Sequence, residues 1–223
     1  MGMKLINSWR FAIKCMRLSY NLKINLLCMG FLFILAILQE IFYISGGSGA
    51  FMLLIIAMYP AQLVSSVCGS QMVLSSPYRK PLMTSLPTVL NLCSGMAVYL
   101  AIIGIELIRV HMIPQLANFS SFIILSCGII LLLLDIYVGL AYKCFALSLV
   151  ILSVSMIGFY YMSGIGRGTA LSQNPFCLPL PIAIAAGLCL ALVGNALQYG
   201  ISRLVYKKPM SRFAIFGLLR QQA

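Results

Sequence analysis

The sequence predicts an all-α integral membrane protein: six transmembrane helices preceded by an amphipathic interfacial helix, with both termini cytoplasmic. Three observations carry this reading. The 223 residues are 62% hydrophobic and only 8% charged, whereas soluble domains carry about a quarter charged residues. Six apolar runs, at about residues 24–44, 50–72, 86–108, 119–142, 144–163 and 179–203, each reach the roughly 20 residues a helix needs to cross the hydrocarbon layer. Threading through these runs puts 13 of the 15 Lys and Arg residues on one side, and cytoplasmic loops are the ones that retain such residues.

The charges group along the chain. Lys4, Arg10, Lys14, Arg17 and Lys23 precede the first run; Arg79 and Lys80 lie between the second and third; Lys143 separates the fourth and fifth; Arg203, Lys207, Lys208, Arg212 and Arg220 close the sequence. Only Arg109 and Arg167 fall on the outer side. Residues 1–223 therefore form a single transmembrane domain with a basic cytoplasmic tail at 204–223. The net charge of +12 sits beside apolar spans, where anionic lipid head groups are its natural partner. Nucleic acid is excluded as a partner on that ground.

Residues 4–23 alternate with a helical period. Arg10, Lys14 and Arg17 share one face, and Trp9, Ile13 and Met16 lie on the opposite stripe. Such a segment is expected to lie in the cytoplasmic interface. The second span carries Pro60, which removes a backbone hydrogen bond and predicts a bend, with Gln62, Ser65 and Ser66 at hand for the freed groups. Ser75-Ser76-Pro77-Tyr78-Arg79-Lys80-Pro81 lies in the one cytoplasmic loop of any length. Ser76 before Pro77 reads as a helix start, and Pro81 as the limit of that short helix.

The third and fourth spans are joined by a short outer link at about 109–118, and the fourth and fifth by little more than Tyr142-Lys143, which makes those two antiparallel neighbours. The turn-rich but partly apolar stretch 164–181 before the sixth span is expected to dip back into the membrane surface. In the sixth span, Ala183, Gly187 and Ala191 form a small-residue ridge suited to close helix contact.

The eight cysteines show no metal-type spacing and read as small apolar side chains. The phosphate-binding string Gly-x-x-x-x-Gly-Lys-Ser/Thr is missing, so any ATP-driven work needs a partner chain. Ionisable groups at membrane depth are costly and often functional, which singles out the three acids. Asp135 lies about two turns before Tyr142, roughly 10 Å from the inner surface. It reads either as a cavity-lining, proton-coupling carboxylate or as one satisfied by Lys143 or a neighbouring helix. Asn195 and Gln198 are further polar groups within a span, candidates for the same cavity. Glu106 and Arg109 are outer polar residues spaced for an i, i+3 ion pair. Glu40 is expected at the outer surface near Phe42 and Tyr43.

His111 is the only histidine and a poor metal ligand by itself. Gly46-Gly47-Ser48-Gly49 matches the Gly-x-Ser-Gly string of rhomboid proteases, but as an outer-loop segment it reads as a Gly/Ser turn. No catalytic, cofactor or metal site emerges, and the chain is not expected to be an enzyme.

The interfacial helix, six spans, the Ser-Pro-Tyr-Arg-Lys loop between spans two and three, and the loop before span six together resemble the membrane subunit of a type-2 ABC exporter. Without a large external domain, the chain is most similar to compact bacterial permeases that export peptide toxins such as phenol-soluble modulins. The resemblance implies a multi-pass protein of the bacterial plasma membrane, acting as a homodimer or heterodimer of permeases with a separate cytoplasmic ATPase that binds ATP and Mg2+. Ser75 to Pro81 would form the coupling loop to that ATPase. The alternative is a substrate-binding membrane subunit of an energy-coupling-factor importer, which would need a polar external site built from Glu106, Arg109, His111 and Arg167.

Overall fold

In the computed structural model, the described residues are 13, 14, 16, 17, 22–42, 48–67, 79–141, 143–165 and 178–207. Helices α1 (Leu22–Phe42), α2 (Ser48–Val67), α3 (Arg79–Met83), α4 (Ser85–Met112), α5 (Ala117–Ala141), α6 (Phe145–Ile165) and α7 (Leu180–Val205) follow in order. Among the described residues there is no strand. Four stretches, Leu22–Gln39, Lys80–Met112, Pro114–Ala141 and Leu180–Val205, are long and apolar enough to cross a membrane; α2 and α6 are apolar over the shorter Gly49–Ser65 and Ala146–Gly158. The chain is an all-α, multi-pass membrane protein.

Helix α5 is the centre. Of its apolar window 61% is buried, against 6% for α1. It packs most extensively on α7, and also on α6 and α4; α2 bridges α1 and α4. The core joins Leu54 of α2, Tyr99 and Ile102 of α4, Ile124, Cys127, Leu131 and Leu134 of α5, and Ala191 of α7. Leu26, Leu27, Phe31 and Ile34 of α1 are exposed, as befits side chains whose solvent is lipid.

Small residues set the central contact. A Cβ on Gly128 would stand 2.8 Å from the Gly187 Cα, and one on Gly187 would stand 1.8 Å from the Tyr99 hydroxyl. The ridge of Ala183, Gly187 and Ala191 expected from the sequence is buried and continues through Gly194. Tyr99 occupies the gap and donates its hydroxyl to the Ile124 carbonyl at 3.0 Å.

Several boundaries differ from the sequence reading. Leu22 and Lys23, assigned to the interfacial segment, begin α1; a basic residue in a first turn does not stop a helix whose apolar run follows at once. Ser48 and Gly49 open α2 instead of forming a turn. Helix α4 runs one turn past residue 108 to Met112 and stops at Ile113, whose φ of −134° and ψ of 86° are extended, as expected before Pro114. The outer link is thereby reduced to Ile113 and the 3-10 turn Pro114–Leu116.

Pro81 does not limit the short helix. It lies inside α3, which continues to Met83. The break comes at Thr84, where φ is −122° and ψ −73°; its hydroxyl and backbone N–H both donate to the Lys80 carbonyl, at 2.7 and 3.1 Å.

Pro60 lies inside α2 as expected. Ser65, however, donates to the Ala61 carbonyl at 2.9 Å, not to the Ile56 carbonyl that the proline strips of its partner. Beside it, Ser94 of α4 donates to the Ala57 carbonyl at 2.6 Å, tying the two helices together next to the proline.

Candidate functional site

Four polar side chains from three helices meet inside the bundle: Asn91 of α4, Asp135 of α5, and Asn195 and Gln198 of α7. Their depths match. Asn91 stands six residues after Ser85, Asp135 six before Ala141, and Gln198 seven before Val205, so all three lie about 10 Å along their helices from the same end of the bundle. Asn195 and Gln198 are three apart and therefore share a face of α7. Relative exposure is 0% for Asn91 and Asp135, 1% for Gln198 and 5% for Asn195.

Asn91 is the hub. Its Nδ2 donates to Asp135 Oδ1 at 2.6 Å and to Gln198 Oε1 at 3.0 Å. Asn195 Nδ2 donates to Asp135 Oδ2 at 3.1 Å and to the Ala191 carbonyl at 3.3 Å. Each carboxylate oxygen thus accepts one amide hydrogen bond. Asn91 Oδ1, Asn195 Oδ1 and Gln198 Nε2 are buried without a partner, and buried polar atoms are seldom left so. Gly194 makes the approach possible, since a Cβ there would lie 2.5 Å from Asp135 Oδ2 and 2.9 Å from the Leu132 Cα.

Of the two readings of Asp135, satisfaction by Lys143 is corrected. Lys143 donates to the Tyr206 carbonyl beyond the end of α7, with its ammonium 5.5 Å from the centre of the Tyr206 ring. A cation there meets the negative end of the α7 dipole, and the carboxylate is left to the amides of α4 and α7. The sequence reading named Asp135, Asn195 and Gln198 but passed over Asn91. The signal was available: an amide within an apolar run, at the depth of Asp135.

At the opposite end of α4, Arg109 Nη1 stands 2.6 Å from Glu106 Oε1, the expected i, i+3 pair. Ser120 of α5 donates to Glu106 Oε2 at 2.7 Å, and Glu106 is buried. His111 is exposed. No group of three or more His, Cys, Asp or Glu residues is placed to hold a metal among the described residues.

The basic segments are only partly described. Arg79 begins α3, and Lys80 and Pro81 are exposed on it, while Ser75, Ser76, Pro77 and Tyr78 lie outside the described residues. In the interfacial segment, Ile13, Lys14, Met16 and Arg17 are helical; Met16 is half-buried and the other three exposed. Trp9 and Arg10 lie outside the described residues, as does Arg167. Comparison of the chain with protein-family models, with curated proteins and with solved structures finds no match.

Proposed function

We propose that this chain is the permease subunit of a type-2 ABC exporter, six spans in a bacterial plasma membrane, energised by a separate ATPase subunit that binds ATP and Mg2+. The observation that carries this reading is α3. It is a short basic helix, Arg79–Met83, set off from α4 by the Thr84 break and packed against α4 and α2, on the side where the charge asymmetry puts the cytoplasm. A helix of this kind, held by the bundle yet presenting Lys80 outward, is suited to receive a push from a soluble partner and pass it to α4 as a rigid-body movement.

The six-span count gains support from α2 and α6, which at 20 and 21 residues are about 30 Å long, the thickness of the hydrocarbon layer. Two permeases, identical or merely similar, would face each other across the translocation path. The apolar exterior suits an amphipathic cargo such as a peptide or lipid. The importer alternative needs polar groups open to the outside, and Glu106 is instead turned inward onto Arg109 and Ser120.

The chain is expected to copurify with an ATPase subunit encoded beside it, and the pair to show cargo-stimulated ATP hydrolysis. The double substitution Arg79→Glu, Lys80→Glu should leave insertion intact, since 11 of the 13 remaining basic residues stay on the inner side. It should abolish most of the stimulated hydrolysis. Vectorial transport by this polypeptide alone, or full stimulation in the double variant, would sink the assignment.

A further inference from the structure

We infer that Asn91, Asp135, Asn195 and Gln198 form an intramembrane binding site for a monovalent cation. This goes beyond the exporter assignment and does not depend on it, because every residue of the site belongs to this chain.

Charge supplies the first argument. Among the described residues Asp135 has only amide partners, Asn91 and Asn195. The nearby cation of its own helix end, Lys143, is spent on the Tyr206 carbonyl, and Arg109 is paired with Glu106. Amide dipoles soften a buried carboxylate but do not cancel its charge, and an isolated charge in a membrane is expensive. When Asp135 is ionised, the cluster carries one negative charge beside neutral amides. A monovalent ion brings it to zero, whereas a divalent ion would leave a surplus positive charge at the same depth.

The donor set supplies the second. Small hard cations bind through carboxylate and amide oxygens. Here the carboxylate is flanked by two amides, with Gln198 bonded to the first of them, and the two unpartnered oxygens, Asn91 Oδ1 and Asn195 Oδ1, belong to the residues whose nitrogens touch Asp135. A half-turn of each amide exchanges nitrogen for oxygen in the same volume. It directs both oxygens to the carboxylate, beside Gln198 Oε1, and releases the Ala191 carbonyl as a further oxygen at that edge. The two orientations answer two states: nitrogen inward stabilises the bare carboxylate, and oxygen inward coordinates the ion. A proton would also cancel the charge, but it offers one O–H to one amide oxygen and leaves the other unpartnered.

The test uses the full chain purified in detergent, with Na+ as the probe. Its unfolding midpoint is compared in NaCl and in choline chloride at equal ionic strength and fixed pH. A ligand bound only by the folded state raises stability in proportion to ln(1 + [L]/Kd). The midpoint should therefore rise with Na+ in the native chain and not in Asp135→Asn, whose side chain keeps its shape and loses its charge. Radiolabelled Na+ should bind the native chain at one ion per chain and be lost from that variant. Equal midpoints in the two salts together with absent radiolabel binding would overturn the inference. So would a midpoint that follows pH and ignores Na+, which would assign the neutralising charge to a proton. Should Asp135→Asn fail to fold, the Na+ against choline comparison on the native chain still decides.

Discussion

Gly128→Ala is expected to part α5 from α7 and cost about 2–3 kcal/mol, in the upper range for overpacking a filled core. The new methyl would stand 2.8 Å from the Gly187 Cα and 3.1 Å from its carbonyl oxygen. Both are backbone atoms, so relief requires movement of a whole helix. Gly187→Ala should cost a similar amount for a different reason, because its methyl meets the tip of a side chain, the Tyr99 hydroxyl, at 1.8 Å. The two can be told apart. Adding Tyr99→Phe removes that oxygen and should restore part of the stability of Gly187→Ala, the ring carbon at 3.0 Å and the lost bond to Ile124 limiting the recovery. It should do nothing for Gly128→Ala. Thiol labelling at Cys127, which is buried beside Gly128, reads the result in versions lacking the other cysteines: slow labelling in the parent and faster labelling wherever the helices separate. Equal rescue of both variants by Tyr99→Phe would contradict the packing described for this contact.

Asn91→Leu should be nearly as damaging, at about 2 kcal/mol. Interhelical hydrogen bonds in membranes average only about 0.6 kcal/mol, because unfolded helices also find partners in the bilayer. Two features lift this case. The 2.6 Å bond ends on a carboxylate, and the same nitrogen serves Gln198, so one substitution orphans two buried acceptors at about 1–3 kcal/mol each before the membrane discount. The sign of the coupling is the sharper test. Asp135→Leu in the Asn91→Leu background should restore stability, since an apolar pair in place of a broken charged contact removes the unpaired group. Additive losses in the two single variants and the double variant would show that Asn91 does not support Asp135. Reversible unfolding in mixed micelles gives the required free energies.

Membrane class and the positions of the apolar helices were legible in the sequence, for physical reasons. Hydrocarbon forces each spanning segment to satisfy its own backbone, so length and apolarity alone mark it. The ridge of Ala183, Gly187 and Ala191 and the Glu106–Arg109 pair were legible too, because both depend on spacing within a single helix. The Pro81 reading failed on the same local scale: the helix continues through the proline to Met83.

Partnership between distant helices was another matter. Nothing within residues 86–108 says that Asn91 faces Asp135 44 positions later and Gln198 107 positions later. Nor could spacing choose between Lys143 and a neighbouring helix as the partner of Asp135. That choice follows from how closely α5 and α7 approach at Gly128, Gly187 and Gly194, since the approach carries Asn195 of α7 to the carboxylate and Gln198 to Asn91, and leaves Lys143 at the end of the bundle, against Tyr206. Local chemistry along the chain was enough to mark which residues are costly in a membrane. Which of them meet depends on helix rotation and separation, and those are set by packing across the bundle.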